Sequence, residues 1–112
     1  MKLLVLVINK EEYLEPVLEL FVEMGIRGAT ILDSVGMGRV LAHDIPIFAG
    51  LRDLIPESRP FNKTILTVIE DELVEPLVRA IEDVVGDLNK PGTGVAFTVP
   101  VDFVKGLAKP LG

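Results

Sequence analysis

The order of apolar and polar positions along the chain predicts four strands and two helices. Apolar runs rich in β-branched residues indicate buried strands, whereas apolar residues that recur every three or four positions indicate helices with one buried face. The strands are predicted at residues 3–8, 28–35, 64–69 and 95–99, and the helices at residues 14–24 and about 72–85.

The two halves of the chain repeat one plan. Leu14-Glu15-Pro16-Val17 recurs sixty residues later as Val74-Glu75-Pro76-Leu77, and each half runs strand, helix, strand. Two such halves form a βαββαβ ferredoxin-like sandwich, an α+β fold with an antiparallel four-stranded sheet and two helices on one face. A larger α/β fold with a parallel sheet would need more helices than the pattern offers. We therefore expect residues 1–112 to form a single domain.

The predicted strands are apolar on both faces. Residues 3–8 contain no polar position, and single threonines, Thr67 and Thr98, interrupt the runs at 65–69 and 95–99. A sheet with helices on one face normally shows polar alternation toward water on the other face. We therefore expect the uncovered faces of several subunits to pack together, as in a homotrimer, whereas a monomer would leave an aggregation-prone patch.

Composition narrows the possible functions. The chain has 112 residues, no cysteine and a net charge of −6. Disulfides and thiolate metal sites are therefore excluded, and the acidic balance argues against general nucleic-acid binding. The N-terminal apolar run is too short for a signal peptide, and no apolar stretch is long enough to span a membrane. We expect a cytoplasmic protein without membrane insertion.

Two glycine-containing segments are the candidate binding elements. Gly36-Met37-Gly38-Arg39 follows the second strand, and Gly92-Thr93-Gly94 precedes the fourth. Glycines allow backbone N–H groups to converge on an anion, and an arginine adds a fork of donors for phosphate or carboxylate. Either segment alone is more often an ordinary turn, so the prediction depends on the fold bringing them together.

At these residues the chain resembles the P-II family of nitrogen-regulatory signalling proteins. The resemblance rests on the stretch Gly25-Ile26-Arg27-Gly28-Ala29-Thr30, on Gly36-Met37-Gly38-Arg39 with His43 beyond it, and on the position of Gly92-Thr93-Gly94. It implies a trimer whose clefts between subunits hold ATP, ADP or AMP. In the family, the residues matching Gly28, Ala29 and Thr30 line the adenine pocket, those matching Gly36, Met37, Gly38 and Arg39 hold phosphates, and those matching Gly92, Thr93 and Gly94 close from the neighbouring subunit.

The chain also departs from the family pattern. The glutamine that normally follows the Gly-x-Gly-Arg motif is Val40, and the aspartate and lysine of the second loop are Thr93 and Val95. Each charge-assisted phosphate contact contributes about 1.5–3 kcal/mol, so ATP should bind more weakly. Lysines that could compensate are Lys63, Lys90 and Lys105; we include Lys63 among the candidate nucleotide-binding residues.

The segment from about residue 40 to 62 corresponds to the family's T-loop, which docks onto transporters or enzymes. It has no tyrosine, since the only tyrosine is Tyr13, so tyrosine uridylylation of this loop is not expected. Residues 44–61 are apolar and proline-marked, and two interpretations stay open. They form either a docking arm for an unknown partner protein or a flap that packs on the trimer itself.

Three functions are in competition. The leading one is a regulatory trimer that senses a small anionic ligand, an adenine nucleotide, and signals through its loop. The second is a trimeric interaction scaffold with a degenerate nucleotide site. The third is a CutA-like metal-binding trimer, which would depend on the sole histidine, His43. One histidine rarely makes a metal site, and no arrangement of residues supports catalysis, so we expect neither metal nor enzyme activity.

Overall fold

A computed structural model describes residues 1–41 and 62–107 of the chain. Within these ranges the chain forms four strands and three helices, and single 3₁₀ turns precede the two longer helices. The elements are β1 (Lys2–Ile8), α1 (Leu14–Glu23), β2 (Thr30–Asp33), α2 (Met37–Arg39), β3 (Lys63–Ile69), α3 (Val74–Val85) and β4 (Gly94–Pro100). The predicted segment 44–61 and His43 lie outside the described residues.

The four strands form one antiparallel sheet in the order β2-β3-β1-β4. The two central strands, β1 and β3, come from different halves of the chain. In the middle of the sheet Val5 lies opposite Leu66 on one side and Phe97 on the other. This order and direction confirm the ferredoxin-like α+β prediction.

The helices cover one face of the sheet and form the core with it. Every second residue of β1 and β3 points to this face and is buried, while α1 and α3 contribute their apolar stripes. The fully buried members are Leu4, Leu6, Ile8, Val17, Ile65, Leu77 and Ile81. Thr67 is the one buried polar side chain in the described residues, and its hydroxyl donates to the Gly28 carbonyl at 2.7 Å.

The opposite face of the sheet, which we call the open face, is apolar as predicted. Cross-strand neighbours on it include Phe97, Val5 and Leu66 in one row, with Leu3 and Val99 in the next. Phe97 exposes 50% of its surface and Val99 exposes 43%. Exposed apolar side chains that are contiguous across strands mark an interaction surface rather than scattered surface residues.

The predicted boundaries differ from the structure mainly around the second strand. It covers only Thr30–Asp33, shorter than the predicted 28–35, and a one-turn helix, α2, occupies the segment predicted as a glycine turn. The predicted start of the second long helix was about two residues early, because Asp71–Leu73 forms a 3₁₀ turn. Among the described residues no helix is long and apolar enough to cross a membrane.

Candidate functional site

One cleft, which we call the main cleft because it is the larger of the two described here, lies at the end of the sheet where β1 and β2 end and β3 and β4 begin. Its volume is about 630 Å³. Residues of strand ends, of α2 and of the loop before β4 form its walls. They are Val7, Asn9, Gly36, Met37, Gly38, Leu41, Asn62, Leu88, Asn89, Lys90, Pro91, Gly92, Gly94 and Val95.

Both candidate glycine segments reach this cleft. Gly36, Met37 and Gly38 line it from α2, and Gly92 and Gly94 line it from the loop before β4. The resemblance led us to expect the second segment to close over the first from a neighbouring subunit. Within one chain the two segments already line the same cleft, because β4 pairs directly with β1 and brings its preceding loop to the end of the sheet where β2 also ends.

The loop before β4 depends on glycine at two positions. Gly92 has φ +79° and Gly94 has φ +145°, in the region that side chains disfavour. A Cβ atom on Gly94 would lie 2.4 Å from the Val7 carbonyl oxygen. Asn9 fixes the loop from the other side, since its Nδ2 donates to the Gly92 carbonyl at 3.1 Å. The loop is therefore held against the end of β1 by steric fit and by a hydrogen bond.

The first glycine segment is built differently. Gly36 has φ −75° and ψ 155°, an extended conformation that other residues also adopt, and α2 begins directly after it. The segment is thus one helical turn and not a left-handed glycine nest. Gly38 is buried, and Met37 beside it exposes 77% of its surface at the cleft.

A polar network joins the end of β2 to the start of β3 beside the cleft. Ser34 Oγ donates to Asn62 Oδ1 at 2.7 Å and accepts from Thr64 Oγ1 at 2.8 Å, while the Ser34 amide donates to the Asn62 carbonyl at 3.0 Å. Lys63 and Asp33 form an ion pair next to it. The network therefore ties the residue that follows β2 to the residue that precedes β3.

Several predicted site residues lie elsewhere. Gly28, Ala29 and Thr30 are exposed at the beginning of the edge strand β2 and are not part of the cleft lining. Arg39 ends α2 and Lys63 begins β3, and neither lines the cleft. A single chain therefore assembles only part of the predicted set.

Thr93 faces a second, smaller cavity of about 150 Å³ on the other side of the loop before β4. Lys10 and Tyr13 line the same cavity, and Lys10 Nζ lies 5.8 Å from the centre of the Tyr13 ring. Pro91 and Gly92 border both cavities, so one short loop separates them. Thr93 thus does not join its two neighbouring glycines at the main cleft.

The cleft is poor in charge. Lys90 is the only charged side chain among the described residues that line it, and Val95 lines it at a position where the family has a lysine. In the described part of the chain no three acidic, histidine or cysteine side chains are grouped to hold a metal. His43, on which a metal site would depend, lies outside the described residues.

Sequence reasoning missed the asparagines of the cleft. Asn9 follows β1, Asn62 precedes β3 and Asn89 lies in the loop before β4, and all three line the cleft. Their position in the sequence could have identified them, because a polar residue at the end of a buried strand often faces a site at that edge of the sheet. Without the strand order, however, nothing showed that the three loops meet.

The fold and the cleft together define a ferredoxin-like α+β protein with a glycine-lined cleft beside an open apolar sheet face. The family model described as nitrogen regulatory protein P-II matches residues 1–108, and the chain belongs to this family. A search of curated proteins found none that matches the chain. Family membership makes it a P-II-like regulatory protein, in agreement with the resemblance noted in the sequence.

Proposed function

We propose that this P-II-like protein is a cytoplasmic homotrimer that regulates a partner by binding a small anionic ligand, an adenine nucleotide, in its main cleft. It acts by binding and not by catalysis. The observation that carries the proposal is the meeting of Gly36–Gly38 with Gly92 and Gly94 around one cleft of about 630 Å³. A cleft of this volume is within the range of small-molecule sites.

The position of the cleft supports a link between ligand and assembly. Val7 and Val95 line the cleft and also lie opposite each other on the open face of the sheet. Packing of three open faces would bury Phe97 and Val99 and would place each cleft at the edge of a subunit interface. Some predicted site residues, including Gly28 to Thr30 and Arg39, do not line the cleft of their own chain. In the trimer they would contact the ligand of a neighbouring subunit, or would reach the ligand when the cleft closes around it.

Calorimetry with ATP, ADP and AMP tests the ligand. Met37 is 77% exposed at the cleft, so Met37→Glu should fold normally and place a negative charge where the anion binds. We expect the affinity of this variant for the preferred nucleotide to be at least roughly tenfold lower than that of the unaltered protein. Val22→Glu is the matched control, because Val22 is 57% exposed on α1 and is absent from the cleft lining. Absence of binding by all three nucleotides in the unaltered protein would reject the ligand class.

Light scattering coupled to gel filtration tests the assembly. Three chains of 12.2 kDa give about 37 kDa. Phe97→Glu should produce monomers, since a buried carboxylate would face its two symmetry copies. Val22→Glu should leave the trimer intact. A monomer for the unaltered protein, or a trimer for Phe97→Glu, would contradict the proposed interface.

We further propose that residues 44–61 form the contact with a partner protein, a transporter or an enzyme. Leu41 and Asn62, the described residues on either side of residues 42–61, both line the main cleft, and this position supports the assignment. Replacing residues 44–61 by a glycine-serine linker of equal length should abolish partner binding and leave nucleotide affinity unchanged. Unchanged partner binding would show that another surface makes the contact.

The second candidate function is a trimeric scaffold whose cleft no longer binds nucleotides. The observation in its favour is Val95, an apolar side chain in the cleft where the family has a lysine. A scaffold of this kind would form trimers and bind its partner with equal affinity with and without ATP, ADP or AMP. A nucleotide-dependent change in partner affinity would exclude it.

A further inference from the structure

The second cavity, which we call the small cavity, differs from the main cleft in size and in chemistry. Its volume is about 150 Å³, against about 630 Å³ for the main cleft. That is below the range of about 300–1,000 Å³ that is typical of sites for drug-sized ligands. Three of its six lining residues carry a polar group on the side chain, and the six are Lys10, Tyr13, Thr93, Val85, Pro91 and Gly92. The small cavity therefore suits a ligand of a few atoms that carries polar groups.

Lys10 gives the small cavity its positive charge. It lies two residues beyond the end of β1, and its Nζ is 5.8 Å from the centre of the Tyr13 ring. An ammonium at this distance from an aromatic face is attracted to it, which orients the lysine side chain toward the cavity wall that the ring forms. Glu11 and Glu12 follow Lys10 in the chain but are exposed and do not line the cavity. The sign of the charge at the small cavity therefore favours an anion.

Two hydroxyl groups accompany this cation. Tyr13 ends the 3₁₀ turn Glu11–Tyr13, and its ring packs against the hydrophobic core. Thr93 lies in the loop before β4, which Asn9 holds through its hydrogen bond to the Gly92 carbonyl. A hydroxyl rotates to donate or to accept, and hydrogen bonds to a charged acceptor are stronger than those to a neutral one. One ammonium and two hydroxyls on three separate stretches of chain are a donor set for the oxygens of a small anion.

We propose that the small cavity binds a small oxyanion, such as phosphate or a short carboxylate, with Lys10 as its cation and Tyr13 and Thr93 as hydrogen-bond donors. The site is separate from the nucleotide cleft of the proposed function. Tyr13 and Val85 pack with the core on the helix-covered side of the sheet, so a trimer that packs through the open faces would leave the cavity uncovered. The loop before β4 borders both cavities, so the bound anion lies against a wall of the main cleft.

The fluorescence of Tyr13 tests the proposal at the site itself, because the chain contains one tyrosine and no tryptophan. The full-length protein is titrated with sodium phosphate and, separately, with sodium acetate, while sodium chloride keeps the ionic strength constant. A bound anion changes the emission along a saturating curve, whereas a free anion quenches by collision in proportion to its concentration. We expect saturation with at least one of the two anions, and the more tightly bound one shows whether the cavity prefers phosphate or carboxylate.

Two variants remove the proposed contacts. Lys10→Met keeps an unbranched side chain but removes the charge, and it should lower the affinity for the anion at least about tenfold. Thr93→Val replaces the hydroxyl by a methyl group of similar size and should lower the affinity about three- to tenfold. Lys90→Met is the matched control, because Lys90 lines the main cleft and not the small cavity, and it should leave the titration unchanged. Melting temperatures verify that the variants are folded.

Three results would overturn the proposal. The first is a fluorescence change that stays linear in concentration for both anions. The second is a saturating change that Lys10→Met and Thr93→Val leave as it is in the unaltered protein. The third is a saturating change that Lys90→Met abolishes, since the anion would then bind at the main cleft. The titrations contain no nucleotide, so each of these results leaves the proposed function to its own calorimetric test.

Discussion

Gly94 offers the sharpest test of how the site is built. It begins β4 with φ +145°, and a Cβ atom there would lie 2.4 Å from the Val7 carbonyl oxygen. Gly86, which ends α3 with φ +98°, has no atom within 4 Å of an added Cβ. Alanine at either position forces a side chain into a disfavoured backbone region, but only alanine at position 94 also collides with the backbone.

The two contributions can be estimated separately. Left-handed backbone strain costs about 1–3 kcal/mol, and lower entropy of the unfolded chain offsets about 0.4–1 kcal/mol of that cost. Gly86→Ala should therefore lose about 1–2 kcal/mol of unfolding free energy. Gly94→Ala should lose about 1–3 kcal/mol more of unfolding free energy than Gly86→Ala. Val7 lies in the central strand β1, so its backbone cannot shift to relieve the clash with the added Cβ atom.

Urea unfolding followed by circular dichroism, at one fixed protein concentration, measures both variants. A difference of 1–3 kcal/mol corresponds to about 4–12 °C between their melting temperatures for a domain of this size. Gly94→Ala should also weaken ligand binding, since Gly94 lines the main cleft. Equal stability of the two variants would refute the reasoning, because it would show that the loop before β4 does not lie against Val7.

Three further substitutions test the core and the polar network, each by urea unfolding. Leu6→Ala removes a fully buried side chain of β1 and should cost about 2–5 kcal/mol; a loss below 1 kcal/mol would place Leu6 outside the core. Thr67→Val keeps the shape of the side chain but removes the hydroxyl that donates to the Gly28 carbonyl, at a cost of about 1–3 kcal/mol, and a neutral result would mean that water replaces this donor. Ser34→Ala breaks both side-chain hydrogen bonds between the chain ends at β2 and β3, and should cost about 1–2 kcal/mol and increase proteolytic cleavage within residues 42–61; unchanged cleavage would contradict the role of the network.

The fold could be predicted from the sequence because the patterns that indicate its strands and helices are local. The repeat of Leu14–Val17 at Val74–Leu77 marks two equivalent halves, and strand runs apolar on both faces predict a sheet with one face left for other subunits. Side-chain periodicity does not depend on long-range contacts, so elements and their order follow from it directly. The exposed apolar side chains around Phe97 confirm that the sheet is apolar on both faces.

The end of the second strand and the conformation of the segment after it were harder to predict from the sequence. Whether Gly36-Met37-Gly38 forms a turn or a helix depends on backbone hydrogen bonds and on the burial of Gly38, which composition does not specify. A glycine pattern permits several backbone conformations, and packing selects one of them.

The sequence by itself determined the strands, the helices, the repeat and the two glycine segments. Only the tertiary structure decided that those segments line one cleft, that Asn9 and Asn62 line it too, and that Lys90 and not Lys63 is among its lining residues. The physical reason is that a site at the end of a sheet collects residues from strand ends that are far apart in sequence. Their proximity follows from strand order and register, which no local pattern encodes.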